Sequence, residues 1–348
     1  MCNGVYACLL AGGKGTRLWP LSVPSCSKSF VRIGKRRPLI EDTISRLKGF
    51  INKERILVVV DKKQAGLLGK FTKGIPRRNI LVEPFGRSTA SAIGLAAIRL
   101  LPEDVIAALP TDQIITNPAG FRKTIKKAAD FARKNKNSLL CVGVKPEGPS
   151  TAYGYIKAGK NRGGGIRKVA GFMEKPDKKT AKLFVKRKNF FWNAGIYIFR
   201  ADSILSAMKR HAPLLRRELE RVRKDGKKIN SAYSRMKNVS IDYQIAERSK
   251  DIYFIRADFG WRDLGSWAGL DEVLLKAGAR KDGDGNIIFG KARLSGTANS
   301  VIYNTESFTL IVEGARDRII AHTKNGTLVC PKSEAGNIKK KVETFYEK

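Results

Sequence analysis

The alternation of short apolar runs with amphipathic stretches predicts an α/β fold with a mostly parallel sheet and helices on both of its faces. The apolar runs have the length of strands, and the first of them leads directly into a glycine-rich turn. Between the runs, apolar residues recur at helical spacing, as in Phe121, Ile125 and Ala128. The predicted strands of this part are Val5–Leu10, Ile56–Val60, Ile80–Val82, Asp104–Leu109 and Leu139–Val144.

The pattern changes after about residue 150, where antiparallel strands are predicted, so that the sheet as a whole is mixed. The segments of this part are the strands Tyr153–Ala158, Gly165–Glu174, Gly195–Phe199 and Ile252–Ala257 and the helical region Ala201–Lys224. From about Asp282 the chain becomes a series of short strands with turn residues between them, and a helix over Ser333–Tyr346 closes it. The predicted late strands are Val301–Tyr303, Thr309–Val312, Arg318–His322 and Gly326–Cys330. We therefore predict two domains, 1–280 and 281–348.

The charge of the chain is strongly positive. Its 68 Lys and Arg residues against 31 Asp and Glu residues give a formal net charge of +37. Such a surface attracts polyanions, so nucleic-acid binding is a competing hypothesis. The basic residues are spread along the whole chain in short clusters, however, without a basic arm or zinc-finger spacing. This distribution favours a solvated basic surface and no specific nucleic-acid partner.

The cysteines and the apolar segments indicate the cellular context. Five cysteines occur without a Cys-x-x-Cys pair, which argues against a disulfide framework and against a metal site made of cysteines: Cys2, Cys8, Cys26, Cys141 and Cys330. The N-terminal apolar run is too short for a signal peptide, and no stretch approaches the ~20 apolar residues of a membrane helix. We expect a cytoplasmic protein without membrane contact.

The glycine-rich turn predicts a phosphate-binding loop. It reads Ala11-Gly12-Gly13-Lys14-Gly15-Thr16-Arg17, and glycines let several backbone N–H groups approach one anion. The spacing matches neither the P-loop nor the Rossmann dinucleotide loop, which indicates a triphosphate site of another kind. Lys28 is a candidate second cation. The alternatives are a tight strand–helix turn and a solvated lysine.

Two aspartates follow predicted strands and are candidates for binding a metal. Asp112 comes after the run that ends at Leu109, and Asp263 follows the strand Ile252–Ala257. Carboxylates at the ends of strands suit Mg²⁺, which takes one or two carboxylates together with substrate phosphates. Each aspartate can also be read as a turn or N-cap residue.

Three further segments carry polar groups that suit a sugar phosphate or a nucleotide. Glu174 and Asn193 have side chains that match sugar hydroxyls, Lys175 suits a phosphate, and Gly154 allows close approach of a ligand. Read without context, these segments are also ordinary loops or a bulge. In the stretch from Glu83 to Ala90, helix capping by a hydroxyl competes with a nucleotide contact.

Together these stretches resemble the nucleoside-diphosphate-sugar pyrophosphorylases, over nearly the whole chain and in the branch that uses mannose and guanosine. The resemblance rests on six ordered stretches: Leu10–Leu21, Glu83–Ile93, Leu109–Asp112, Tyr153–Ile156 with Phe172–Pro176, Trp192–Gly195, and Ser240–Tyr243 with Trp261–Trp267. It implies a GT-A-like nucleotidyltransferase domain followed by a short left-handed β-helical tail. It also implies that GTP and α-D-mannose 1-phosphate are converted to GDP-mannose and pyrophosphate, with Mg²⁺ as cofactor.

The resemblance assigns roles to residues of this sequence. Arg17 and Lys28 are the implied catalytic cations, and Asp112 and Asp263 the implied metal ligands. The implied nucleotide contacts are Ala11, Gly12, Gly13, Gly15, Thr16, Arg17, Glu83, Arg87, Thr89 and Asp112, and the implied sugar-phosphate contacts are Gly154, Glu174, Lys175 and Asn193. Because the tail often packs on a second subunit in this family, a homodimer is a further expectation.

The chain departs from the family pattern at three places. Ser27 replaces the usual proline before the catalytic lysine, Ser88 replaces the usual asparagine after Arg87, and Gln113 replaces the usual histidine after Asp112. Position 88 lies between the implied nucleotide contacts Arg87 and Thr89, so a change there bears on the nucleotide preference more than on the reaction class. The alternatives are therefore a pyrophosphorylase for glucose 1-phosphate with UTP or dTTP and, from a different class, a non-catalytic basic protein that binds nucleic acid.

Overall fold

The computed structural model describes residues 4–13 and 15–346 and divides into two compact units. The first unit comprises the chain up to Gly12 together with Ile44–Asp263, and the second comprises Gly13–Thr43 together with the chain from Leu264 onward. Lys14 of the glycine-rich turn and Cys2 lie outside the described residues. The predicted domain boundary at 280/281 falls within the second unit, and we keep it as a prediction.

The first unit is built on a nine-stranded sheet with the order β3-β2-β1-β4-β9-β6-β10-β8-β7. The strands of the unit are β1 (Val5–Leu10), β2 (Ile56–Asp61), β3 (Ile80–Glu83), β4 (Val105–Pro110), β5 (Gln113–Ile115), β6 (Leu139–Val144), β7 (Tyr155–Asn161), β8 (Ile166–Met173), β9 (Phe190–Arg200), β10 (Ile252–Arg256) and β11 (Trp261–Asp263). Strand β9 runs antiparallel to β4 and β6, and β8 runs antiparallel to β10 and β7. The other seven strands of the large sheet share one direction, so the predicted mixed, mostly parallel sheet is confirmed.

The helices follow the predicted alternation with the strands. They are α1 (Leu39–Leu47), within which the chain passes from the second unit to the first, α2 (Ser88–Ala97), α3 (Pro118–Lys134), α4 (Lys178–Lys186), α5 (Ala201–His211), α6 (Pro213–Lys224), α7 (Ile229–Arg235) and α8 (Ile241–Gln244). The helical region predicted over roughly Ala201–Lys224 consists of two helices, because Pro213 has no N–H to continue the first. Helix α2 buries almost its whole length, including Ile93 and Leu95, in the main core.

The buried cysteines belong to this core. Cys8 on β1 and Cys141 on β6 are fully buried free thiols, as predicted for apolar strands. Burial raises the pKa of Cys8 to about 12, and the charge of Glu83 adds to the effect. Burial likewise raises the pKa of Cys141. Neither thiol provides a nucleophile at neutral pH.

The second unit contains stacked parallel strands. Its elements are α9 (Asp271–Lys276), β12 (Arg280–Lys281), β13 (Ile287–Phe289), β14 (Ala292–Ser295), β15 (Val301–Asn304), β16 (Leu310–Glu313), β17 (Arg318–Thr323), β18 (Gly326–Pro331) and α10 (Ile338–Tyr346). Strand β15 pairs in parallel with both β13 and β17, and β14 pairs in parallel with β16. Ile302, Val312 and Ile320 form the small core of these strands. The left-handed β-helix implied by the resemblance stays a prediction.

Across the described parts of the chain, no helix is both long enough and apolar enough to cross a bilayer.

Candidate active site

Three of the predicted sugar-phosphate residues lie together in the first unit. The backbone N–H of Asn193 donates to the carbonyl of Gly154 at 2.8 Å, which ties the start of β7 to β9. A methyl group built on Gly154 would overlap Oε2 of Glu174 and would lie 3.5 Å from Cβ of Asn193. Gly154 therefore leaves room for the Glu174 carboxylate, and a larger residue would remove that room.

Glu174 is a buried carboxylate with one oxygen in use. Its Oε1 accepts from Nζ of Lys175 at 2.8 Å, whereas its Oε2 is buried and has no hydrogen-bond partner within the described chain. Burial raises the pKa of Glu174, and the nearby charge of Asp242 raises it further. A buried acceptor without a partner is costly in a folded protein, and a ligand that donates a hydrogen bond relieves that cost.

Lys175 stands next to this carboxylate in an unusual backbone conformation. Its φ of 48° lies in the left-handed region, and its Nζ lies 6.0 Å from the centre of the Tyr243 ring. Burial opposes the charge of Lys175, but the hydrogen bond and charge of Glu174 outweigh burial and raise its pKa. Lys175 therefore stays cationic at neutral pH, as a phosphate contact requires.

Asn193 is held by two residues to which the motifs of the sequence assigned no role. Its Nδ2 donates to Oδ1 of Asp242 at 2.7 Å and to the hydroxyl of Tyr197 at 3.1 Å. The Tyr197 hydroxyl in turn donates to the same Asp242 oxygen at 2.6 Å. Asp242 lies in the stretch Ser240–Tyr243, which contributed to the family resemblance. The side chains of Asn193 and Tyr197 meet across an irregularity of β9, at which Gly195 has a φ of 70° and the register with β6 shifts.

The two predicted metal ligands belong to neighbouring segments of the first unit. Strand β11 pairs antiparallel with β5, and Asp263 lies opposite Gln113, the residue that follows Asp112. The Gln113 side chain donates to the carbonyl of Ala194 at 2.6 Å, which joins this turn to the strand that carries Asn193. No group of three or more His, Cys, Asp or Glu residues suited to a metal occurs in residues 4–13 and 15–346. The protein thus offers two carboxylates rather than a complete ligand cage.

Glu83 lies beside the end of β1. A methyl group built on Gly12 would be 3.7 Å from Oε2 of Glu83, and Ala11 is buried with its N–H donated to the carbonyl of Val59 at 2.9 Å. Burial raises the pKa of Glu83 to about 8, with a smaller contribution from the charge of Asp61. The carboxyl is therefore largely protonated at neutral pH.

The other two predicted base contacts hold the fold together. Arg87 donates from Nε to the carbonyl of Tyr233 at 2.9 Å and from Nη2 to the carbonyl of Ser234 at 3.3 Å. The Thr89 hydroxyl accepts the backbone N–H of Ile241 at 3.0 Å, so it satisfies the first turn of α8. Ser88 between them has φ 70°, a conformation that asparagine tolerates better than serine. The nucleotide contact that the resemblance implies for Arg87 and Thr89 stays a prediction.

The glycine-rich turn and Lys28 meet in the second unit. Gly13 and Gly15 have φ of 117° and 65°, and a methyl group on Gly15 would be 2.9 Å from the backbone nitrogen of Lys28. Lys28 is buried, and its Nζ donates to the carbonyls of Leu264 at 2.5 Å and Gly265 at 3.2 Å. These two carbonyls directly follow Asp263 in the chain. The close approach at Gly15 is therefore to the backbone of Lys28, whereas a methyl group on Gly13 would meet no atom within 4 Å.

The other two loop residues differ in exposure. Thr16 is buried in a short 3₁₀ turn, and its hydroxyl has no hydrogen-bond partner among the described residues. Arg17, in the same turn, is exposed. An exposed guanidinium beside a glycine turn can bind an anion with little rearrangement.

The sequence also matches a known protein family. Residues 6–279 match the family model described as "Nucleotidyl transferase". The chain therefore belongs to the nucleotidyl transferase family. The match ends one residue before the predicted boundary at 280.

Two curated relatives and one solved structure are similar to this chain over nearly its whole length. The putative mannose-1-phosphate guanylyltransferase of Vibrio cholerae is 32% identical over 347 residues, which cover 96% of this chain and 73% of the relative. The mannose-1-phosphate guanylyltransferase of Escherichia coli K12 is 31% identical over 357 residues, with coverage of 97% and 73%. A crystal structure from Thermus thermophilus, described as a mannose-1-phosphate geranyltransferase, has a TM-score of 0.86 at 28% identity and covers 99% of both chains.

Proposed function

We propose that this protein is a mannose-1-phosphate guanylyltransferase, which converts GTP and α-D-mannose 1-phosphate to GDP-mannose and pyrophosphate. The observation that carries the proposal is the cluster of Gly154, Glu174, Lys175 and Asn193, where a buried carboxylate oxygen without a partner in the described chain adjoins a lysine that stays cationic. Such a pair suits a ligand that bears both hydroxyls and a phosphate. The relatives named for this reaction support the choice of mannose and guanosine.

The sugar phosphate binds at this cluster. Glu174 accepts a hydroxyl of the hexose through Oε2, and Asn193 offers an acceptor oxygen that also receives the N–H of Gly195, at 3.1 Å. Lys175 binds the phosphate. The Glu174 carboxylate both contacts the sugar and forms an ion pair with Lys175, which balances part of its charge.

The triphosphate binds to the glycine turn. The backbone N–H groups around Gly13 and Gly15 face the phosphate oxygens, the Thr16 hydroxyl donates to one of them, and Arg17 supplies positive charge. Lys28 adds a second cation by exchanging one of its carbonyl contacts for a phosphate oxygen. Glu83, Arg87 and Thr89, with Ala11 and Gly12 at the end of β1, line the base region.

Asp112 and Asp263 hold Mg²⁺ in this proposal. A pair of carboxylates on adjacent segments suits a hard cation that completes its shell with phosphate oxygens and water. When bound, the ion neutralises charge that develops on the phosphates.

The chemical step needs no general base, because the phosphate oxygen of mannose 1-phosphate is already an anion. That oxygen attacks the α-phosphorus of GTP, a new P–O bond forms, and the bond to the β-phosphate oxygen breaks to release pyrophosphate. The barrier comes from repulsion between two anions and from charge on the leaving group. Arg17, Lys28 and Lys175 lower it by positioning and by electrostatic stabilisation.

The test is pyrophosphate release from a panel of GTP, UTP and dTTP, each with mannose 1-phosphate and glucose 1-phosphate. We expect turnover with GTP and mannose 1-phosphate to be fastest. Faster turnover with UTP or dTTP and glucose 1-phosphate would favour the same-class alternative. No turnover, together with tight and structure-selective RNA or DNA binding at ~0.15 M salt, would favour the nucleic-acid hypothesis.

The metal assignment has its own variant. We expect Asp263→Asn to lower turnover by roughly 10²–10³ at moderate Mg²⁺. Near-normal turnover over a Mg²⁺ titration would remove Asp263 from the metal site. The matched control is Asp284→Asn, because Asp284 is exposed in a turn of the second unit.

The proposal extends to the fold of the second unit, the cellular location and the assembly of the protein. The stacked parallel strands of the second unit form a left-handed β-helix, the protein acts in the cytoplasm, and it assembles as a homodimer. Light scattering of the purified protein tests the last of these directly.

A further inference from the structure

We infer that Asp242 is a positioning residue for the sugar subsite, which acts through Asn193 and is itself held by Thr89. The inference rests on the proposed function, since it concerns how the sugar cluster is kept in its binding geometry. Its evidence is a continuous set of hydrogen bonds within the first unit that leads from the start of α2 through α8 to β9.

Both amide hydrogens of Asn193 are already in use. One goes to the Asp242 carboxylate at 2.7 Å and the other to the Tyr197 hydroxyl at 3.1 Å. Asn193 can therefore offer a sugar only its acceptor oxygen. The asparagine amide has one orientation in which Nδ2 faces the carboxylate and Oδ1 accepts the N–H of Gly195 at 3.1 Å, so Asp242 and this N–H together direct Oδ1 away from the carboxylate.

The hydrogen bonds of this arrangement converge on Asp242. The same Asp242 oxygen accepts from the Tyr197 hydroxyl at 2.6 Å, and Tyr197 is buried. Hydrogen bonds to an ionised acceptor are shorter and stronger than neutral ones. Two donors that converge on one carboxylate oxygen hold the side chains of β9 more firmly than either bond alone.

Asp242 is itself held in place by an anchored helix. It belongs to the short helix α8, and the first N–H of that helix, from Ile241, donates to the Thr89 hydroxyl at 3.0 Å. Thr89 is in the first turn of α2, directly after Arg87 and Ser88. A helix of four residues has little stability of its own, so this anchor determines where Asp242 lies.

The charge of Asp242 adds an electrostatic role. It is among the charges that raise the pKa of Glu174 and of Lys175. A negative charge near both residues favours a cationic Lys175 for the phosphate. Asp242 thus acts on Lys175 as well as on Asn193.

The experiment is a double-mutant cycle on the Michaelis constants. For Asp242→Asn we expect the KM for mannose 1-phosphate to rise about 10-fold or more, as for loss of a hydrogen bond to a charged group, while the KM for GTP changes less than about 2-fold. For Tyr197→Phe we expect a smaller rise in the same constant. For Asn193→Ala combined with Asp242→Asn, the KM should lie well below the value expected from multiplying the two single effects, because most of the effect of Asp242 passes through Asn193.

Controls separate positioning from general destabilisation. Asp202→Asn is the matched variant, since Asp202 accepts two hydrogen bonds from Arg200 at the far end of β9, and its loss should lower thermal stability without changing either KM. Thr89→Val should raise the KM for mannose 1-phosphate, and Thr89→Ser should restore it. If Asn193→Ala does not fold, the inference is tested by the KM values of Thr89→Val, Thr89→Ser and Tyr197→Phe.

Two results would overturn the inference. One is additive effects of Asp242→Asn and Asn193→Ala, which would mean independent action. The other is an equal rise of both Michaelis constants. If the wild-type protein forms no GDP-mannose at all, the proposed function fails first, and that failure is visible before any variant is made.

Discussion

The sugar cluster and the base region of the first unit differ in how their side chains are used. In the sugar cluster, Glu174 keeps a buried oxygen without a partner in the described chain. In the base region, Oε1 of Glu83 is likewise buried without a partner in the described chain, but Arg87 and Thr89 direct their polar groups to backbone atoms of α7 and of the start of α8. The roles of both regions were predicted from the family resemblance. The difference teaches that a motif residue can serve the fold that presents a ligand rather than contact the ligand itself.

The sharpest way to test the difference is Gly154→Ala. The added methyl group would overlap the Glu174 carboxylate, which is the end of a flexible side chain and can move. We expect stability to change by less than about 1 kcal/mol, while kcat/KM for mannose 1-phosphate falls roughly 10²-fold because the carboxylate leaves its binding position. Steady-state kinetics and thermal melting measure the two effects.

The matched control is Gly148→Ala, since a methyl group at Gly148 meets no atom within 4 Å. A Gly154→Ala protein with normal kinetics would remove Glu174 from the sugar site and would make the two regions alike.

A pH series on Glu83→Gln tests the base region. In the folded protein the pKa of Glu83 is raised to about 8, whereas in the unfolded chain it has its ordinary value of 4.5. Between these two pH values the folded protein keeps the proton on Glu83 and the unfolded chain releases it. Stability therefore falls as the pH rises from about 4.5 to about 8, by an amount on the order of a few kcal/mol. Glutamine imitates the protonated carboxyl, so the variant should lose this slope.

Urea denaturation at about pH 5.5, 7 and 8.5, across the window in which the Glu83 proton is released, measures the slope, with the exposed Glu103→Gln as control. Parallel curves for the variant and the wild type would show that Glu83 is ionised in the folded protein.

A smaller effect is expected for Arg87→Ala. The substitution removes two hydrogen bonds to backbone carbonyls and the contact of the guanidinium with the Phe85 ring, whose centre lies 4.9 Å away. We expect a loss of about 2 kcal/mol in the free energy of unfolding, larger than the loss in GTP binding energy. The exposed Arg78→Ala is the control. An unchanged stability with a large rise in the KM for GTP would indicate that Arg87 contacts the nucleotide directly rather than stabilising the fold.

The smallest effect is expected for Cys26→Ser, outside both regions. In-line transfer forms no covalent enzyme intermediate, so kcat should stay within about 2-fold of the wild type, with a stability change under about 1 kcal/mol. Mass spectrometry during turnover checks the same point. A nucleotidyl group trapped on the enzyme would contradict the mechanism.

Much of the fold was predictable because strand signals are local. The runs around Val5–Leu10 and Leu139–Val144 are apolar over their whole length, as strands buried on both faces require, and they form β1 and β6 with the predicted bounds. Strands β5 and β11 were missed because three residues carry no periodic signal. Their pairing is nevertheless what puts Asp263 opposite Gln113.

The site was predictable in part for the same reason. Glycines that need positive φ or close approach, such as Gly15, can be recognised from the turn in which they occur. The role of Asp242 could not be recognised from its neighbours, since its partners Asn193 and Tyr197 lie on a distant strand. Nor does any local signal show that Arg87 faces the end of α7.

The amino-acid sequence by itself determined the order of strands and helices, the phosphate-type turn and the family, because these depend on residue type and spacing along the chain. Only the tertiary structure decided which polar groups are left to a ligand. That choice depends on hydrogen bonds between segments far apart in sequence, as between Asp242 and Asn193. A side chain has a limited number of donors and acceptors, and those used within the fold are no longer available to a substrate.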